Sequence, residues 1–120
     1  MKGQENLKGF RELKERYKDV LTPNRFAVLL AIYALGPQPL SVLTKVLGMG
    51  WGELDSALKK LKELGLVVVR KRIVGRNIRS VAELTSEGEK LVEELANLFD
   101  VIKRSRQSFR IGSEHGYRTS

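Results

Sequence analysis

Between residues 49 and 84 the sequence changes its period once, and that change constrains what the chain can fold into more than any other feature. Over residues 50–65, GWGELDSALKKLKELG, the apolar Leu54, Ala57, Leu58, Leu61 and Leu64 recur at steps of three and four, as in a helix with one buried face. Gly65 then offers the left-handed backbone that ends a helix, and Leu66, Val67, Val68 and Val69 form the apolar, β-branched run that begins a strand. The strand turns basic and reaches a tip at residues 74–77, where Gly75 and Asn77 both tolerate positive φ. It returns over residues 78–84 with Ile78, Ser80, Ala82 and Leu84 alternating against Arg79, Val81 and Glu83. One face should look to the helices and the other to solvent. Arg70, Lys71, Arg72, Arg76 and Arg79 fall within ten residues, and no acid occurs between Glu63 and Glu83. A hairpin with one sign of charge calls for a long, negative partner.

The flanking segments read as helices. Residues 4–20 set Leu7, Phe10, Leu13, Tyr17 and Val20 on one side and Lys8, Arg11, Glu12, Glu15 and Lys18 on the other. Thr22 can cap a second helix with Pro23 in its first turn. That helix is apolar almost all round from Phe26 to Ile32, as expected of a central buried helix, and Gly36, Pro37 and Pro39 stop it. Ser41 is placed to cap a short third helix, SVLTKVLG, with Leu43, Val46 and Leu47 on its apolar face. Only Met49 and Gly50 separate it from the helix described first, and two short helices joined by so tight a glycine-containing turn have the sequence form of a helix-turn-helix. After the hairpin, Thr85 caps a last helix to about Arg104. Residues 105–120 lose the periodicity and are expected to form a disordered basic tail outside the domain of residues 1–104.

Composition narrows the function. The chain has 120 residues, enough for one core burying roughly two-thirds of the unfolded surface. It has no cysteine and a single histidine, His115, which removes thiolate chemistry and histidine-based metal clusters. No glycine-rich phosphate loop and no serine with a base at catalytic spacing is found, so an enzyme is not expected and no cofactor is called for. No segment approaches the roughly 20 apolar residues of a membrane span, and a cytoplasmic location is expected. The formal net charge of +8 draws a polyanion.

The segments LTPNRFAVLLAIYALG, PLSVLTKVLG, ALKKLKELGLVVVRK, a Gly75–Arg76 turn and LTSEG follow one another as in winged helix-turn-helix transcriptional regulators. The resemblance covers residues 21 to about 95 and is to MarR-like and related archaeal regulators. It implies a mainly α fold with a small β hairpin (α+β), a winged helix-turn-helix with additional N- and C-terminal helices. It also implies double-stranded DNA as partner, with the second helix of the motif in the major groove and the wing on an adjacent minor groove or backbone. On this chain the groove-facing positions are then Trp51, Gly52, Asp55, Ser56 and Lys59, the wing contacts Arg70, Arg72, Arg76, Asn77 and Arg79, and the backbone contacts Ser41 and Lys60. Gly50 stands where the family usually has Ser or Thr, and Trp51 and Gly52 where it has polar or basic residues.

Two readings stand for several of these residues. Glu53 and Asp55 complement the positive end of the helix dipole, or Asp55 accepts from a cytosine amino group. Trp51 packs over the turn between helices, or meets DNA. Lys59, Lys60 and Lys62 are a solvated face, or contacts. The module as a whole is a DNA-binding regulator or, alternatively, a winged helix used for protein–protein contact. No residue pattern assigns a small-molecule effector. Leu91, Leu95, Leu98 and Ile102 repeat at steps of four, three and four beside Val92, Ala96 and Phe99, more apolar surface than one domain covers. A homodimer is therefore expected, held by Leu7, Phe10 and Tyr17 of the first helix and Leu91, Leu95, Leu98, Phe99 and Ile102 of the last, on an inverted-repeat site.

Overall fold

The computed structural model describes residues 10–117, so Leu7 lies outside the described residues. The first helix, α1, is described over residues 10–16. It ends at Arg16, not at residue 20 as the periodicity predicts, because the Tyr17 carbonyl accepts from both Val20 and Leu21 N–H at 3.0 Å and closes a turn. Helix α2 (Pro23–Leu35) starts as expected, with Pro23 in the first turn and the Thr22 hydroxyl accepting from Arg25 N–H at 3.4 Å. It buries Val28, Leu29 and Ile32 but exposes Leu30, Tyr33 and Leu35, so it is a helix with one core face and not the all-round buried helix expected.

Strand β1 (Gln38–Pro39) is not expected from the sequence, where Pro39 reads as a helix stopper; it pairs with the hairpin's return strand. Proline is tolerated there because β1 is an edge. Helix α3 (Leu40–Leu47) follows directly. Pro39 is its cap residue and makes no side-chain cap bond, so Ser41 lies inside the helix and does not cap it. Of the expected apolar face, Leu43 is buried and Leu47 half-buried, but Val46 is exposed. Helix α4 (Trp51–Glu63) buries Leu54, Ala57, Leu58 and Leu61 of the anticipated stripe, whereas Leu64, at its cap, is exposed. Strands β2 (Val67–Val74) and β3 (Asn77–Leu84) pair antiparallel around a two-residue turn, giving the sheet order β1-β3-β2.

Burial along the hairpin follows distance from the body, not the expected alternation of faces. At its base the neighbours Val81 and Ala82 on β3 are both buried, because β3 is the central strand. Towards the tip residues 70–79 are all exposed. Helix α5 (Ser86–Tyr117) has 32 residues and does not stop near Arg104. Arg106, Gln107, Arg110 and Glu114 are strong enough helix formers to carry it through residues 105–117, where a disordered tail is expected from the sequence, despite about 1 kcal/mol against each glycine.

The core joins Val28, Leu29 and Ile32 to Leu43, to the α4 stripe, to Leu66, Val67 and Ala82, and to Val92 and Leu95 of α5, with Tyr17 closing it. Tyr17 and Leu95, expected at a subunit interface, are 3% and 2% exposed and belong to this core. No helix among the described residues is long and apolar enough to cross a membrane.

The hairpin is joined to α5 at one place. The Thr85 hydroxyl donates to the Gly65 carbonyl at 2.7 Å and accepts from Gly88 N–H at 3.0 Å, while Thr85 N–H donates to the Leu66 carbonyl at 3.0 Å. This close approach requires glycine at 88, since a Cβ there would lie 2.2 Å from the Leu66 carbonyl oxygen. Gly88→Ala is therefore expected to force the two segments apart at roughly 1–3 kcal/mol, lowering the thermal midpoint by about 5–15 °C in a calorimetric scan.

Candidate nucleic-acid interface

The α4 stripe that enters the core leaves a complementary sector in solvent. At 100° per residue, Trp51, Gly52, Asp55, Ser56 and Lys59 fall within about 140° of one another, opposite Leu54, Ala57, Leu58 and Leu61. All five are exposed, and Lys60 at the margin is half-buried. Lys62 falls in the same sector and is exposed.

Two side chains at the start of α4 are placed by the geometry. Glu53 reaches back so that its Oε1 accepts from Gly50 N–H at 3.2 Å, substituting for the side-chain cap that glycine cannot supply. Glu53 thus serves the helix start. Trp51 is 60% exposed and does not cover the turn between α3 and α4; Met49, within that turn, is the side chain that enters the core. Asp55 is exposed beside Trp51 and Ser56.

The starts of α3 and α4 meet the base of β3 at an open cleft of about 230 Å³ lined by Pro39, Leu40, Ser41, Trp51, Arg79 and Ser80. Arg79 spans it, with Nη1 donating to the Ser41 hydroxyl at 3.4 Å. Ser41 therefore turns its side chain to the wing. A serine hydroxyl, a guanidinium and an indole are brought together by three separate elements, and the first two are donors suited to an anionic oxygen.

The wing differs from its sequence reading in one respect that changes its charge. Five cations were read as lacking an acid, yet Glu83 on β3 pairs with two of them, at 3.0 Å from Arg70 and 2.8 Å from Arg72. The register explains it. Val68 faces Glu83, Arg70 faces Val81 and Arg72 faces Arg79, so these residues share one face and the long arginines reach along it to a single carboxylate. A two-residue turn at Gly75–Arg76 was the sequence signal that fixed this pairing. Among the described residues no acid pairs with Lys71, Arg76 or Arg79. Gly75 alone carries the turn, at φ +66°; Asn77 has ordinary backbone and opens β3.

Helices α1 and α5 frame a second open cleft, of about 260 Å³, over Glu12, Arg16, Tyr17, Glu94, Asn97, Leu98 and Val101. Arg16 pairs with Glu94 at 2.6 Å across it. Phe10, Phe99 and Val101 are each about half exposed, whereas Leu91, Leu98 and Ile102 are half-buried against their own chain.

No protein-family model and no curated protein matches the chain. Solved structures do. A transcriptional regulator homologue from Pyrococcus horikoshii OT3 superposes with a TM-score of 0.72 at 24% identity, over 82% of this chain and 96% of that one. BpsR of Bordetella bronchiseptica, whose DNA binding is regulated by 6-hydroxynicotinic acid, gives 0.61 at 24% identity over 85% and 75%. Reduced AbfR bound to DNA gives 0.61 at 18% identity over 90% and 80%. At these identities the likeness is one of architecture: the chain has the winged helix-turn-helix fold with terminal helices that the sequence resemblance implied.

Proposed function

We propose that the chain is a transcriptional regulator that binds duplex DNA as a homodimer, with α4 in the major groove and the wing on the minor groove or backbone. The observation that carries this is the shared outer surface of α4 and the hairpin: an exposed polar sector of one, acid-free cations on the other, and the Ser41–Arg79–Trp51 cleft between them. A solved neighbour described as a transcriptional regulator homologue, and another solved bound to DNA, support it.

Roles divide by chemistry. Arg76, Arg79 and Lys71 supply charge to phosphates, with Ser41 and Lys60 as backbone contacts, and none of these reads sequence. Asp55, Ser56, Lys59 and Trp51 read base edges, Asp55 by accepting from cytosine N4 and Trp51 by apolar contact with a thymine methyl. Arg70 and Arg72 are held by Glu83 and act less on DNA than their position implies. The homodimer forms through α1 and α5, where Phe10 and Phe99 are apolar side chains that the chain's own core does not cover. A two-fold axis there sets two α4 helices roughly 34 Å apart, one turn of duplex.

If the dimer neutralises about six to ten phosphates, affinity for random duplex falls about 10³-fold or more between roughly 50 and 200 mM salt, as read by fluorescence anisotropy. Absence of binding at the lower salt ends this reading.

The wing divides into two testable groups. Arg76→Ala and Arg79→Ala each flatten the salt slope by about one while leaving preference among sequences intact; Ser56→Ala or Lys59→Ala shifts preference. Glu83→Gln releases Arg70 and Arg72, and is expected to tighten nonspecific binding and steepen the slope by about one to two. An unchanged slope in Glu83→Gln shows that those arginines do not reach DNA.

Sedimentation tests the assembly. The native chain is expected to run as a dimer and a Phe10→Glu, Phe99→Glu variant as a folded monomer. A monomeric native chain, or a variant that stays dimeric, rejects the interface. Substitution at Leu95 reports on the core instead, since that side chain is buried within its own chain.

A further inference from the structure

The most exposed large apolar side chains among the described residues are Ile73 and Ile78, at 78% and 72%. They are direct cross-strand partners, so they stand side by side on one face of the hairpin, next to its turn. The chain gives them nothing to pack on: the core reaches along this face only to Val69 and Leu84, partly buried at the hairpin base. The pair is therefore presented outward on a strand ladder that holds its spacing.

What surrounds the pair selects its partner. Lys71 lies on the same face, Arg76 is in the adjoining turn, and Arg72 and Arg79 occupy the opposite face at the same level. No acid lies in residues 70–79. An apolar patch ringed by cations fits a partner that is anionic outside and apolar within, which describes a duplex with its phosphates outside and stacked bases inside.

Resting on the DNA-binding reading above, we propose that Ile73 and Ile78 form an apolar wedge that enters the minor groove between base steps and bends the duplex. The groove is only about 6 Å wide, so two branched side chains abreast do not seat in it unless it opens. Apolar side chains that enter in this way partly unstack a step and kink the duplex towards the major groove, by about 20–90°. Pyrimidine–purine steps unstack most readily, so the wedge gives the protein a preference for TA or CA/TG steps under the wing without a base hydrogen bond. Arg76 and Lys71 hold the flanking phosphates while the step opens.

The probe is a duplex of about 20 base pairs carrying TA steps in otherwise random sequence, labelled at its ends for energy transfer, at roughly 50 mM salt. The wild type is expected to raise energy transfer. Ile73→Val, Ile78→Val keeps the apolar pair and should keep the bend. Ile73→Thr, Ile78→Thr keeps β-branched strand residues and should bind with the same salt slope but lose the bend and the preference for TA steps. A complex that forms without a change in energy transfer, or a threonine variant that still bends, overturns the wedge while leaving DNA binding intact. No complex at low salt overturns both. Self-association of the wild type without DNA, abolished in the threonine variant, assigns the pair to a second copy of the chain and also overturns the wedge.

Discussion

The direction of the hairpin depends on one joint. Gly65 and Leu66 leave α4, Thr85 and Gly88 enter α5, and the two segments are tied by the Thr85 hydroxyl to the Gly65 carbonyl and by the Thr85 N–H to the Leu66 carbonyl. Both ends of the wing are thereby fixed within one small volume, against the core residues Leu66, Val67 and Ala82. Because α4 ends at the same joint, its exposed sector and the wing are positioned as one unit. The hydroxyl satisfies an otherwise orphaned N–H at the start of α5 and a carbonyl at the end of the preceding turn, so one side chain completes two termini.

Beyond that joint the wing is a cantilever. Its outer half has no core contact, and its shape rests on the β2–β3 ladder and the Gly75 turn. An isolated two-stranded ribbon is marginally stable in water. Here the base is sealed by a third strand and the middle by Glu83, which fixes two arginines on one face. A buried base and a solvated tip give the element a gradient of stability along its length, with local opening expected from the tip inwards.

Much of this was legible in the sequence because it is local. The α4 stripe, the stop at Gly65, the Thr22 and Thr85 caps and the Gly75 turn follow from period and turn chemistry within a few residues. The misses come from pairings between distant segments. Strand β1 has two residues and exists only because Gln38 and Pro39 meet Ala82 and Val81. Glu83 lies outside the basic run along the chain but against it in space. Tyr17 and Leu95 carry apolar periodicity that says they are buried, but period alone cannot say by which subunit. The length of α5 was missed because its final turns lack an apolar stripe, and helix-forming residues continue a long helix without one. For the candidate interface, the sequence located the exposed side of α4 correctly but could not see that Glu53 is tied to Gly50 or that Trp51 stands free of the turn.

Strand β2 is an outer edge of the sheet, eight residues long, with an unpaired row of backbone donors and acceptors along one side. Such an edge is a template on which another chain can add a strand. Here Val67, Val68 and Val69 run straight into Arg70, Lys71 and Arg72, and an incoming strand would have to desolvate three adjacent cations to lie alongside. The same three residues that look like decoration on a binding surface therefore act as gatekeepers of a sticky, valine-rich edge. They oppose strand addition along the wing's own edge by the cost of desolvating them.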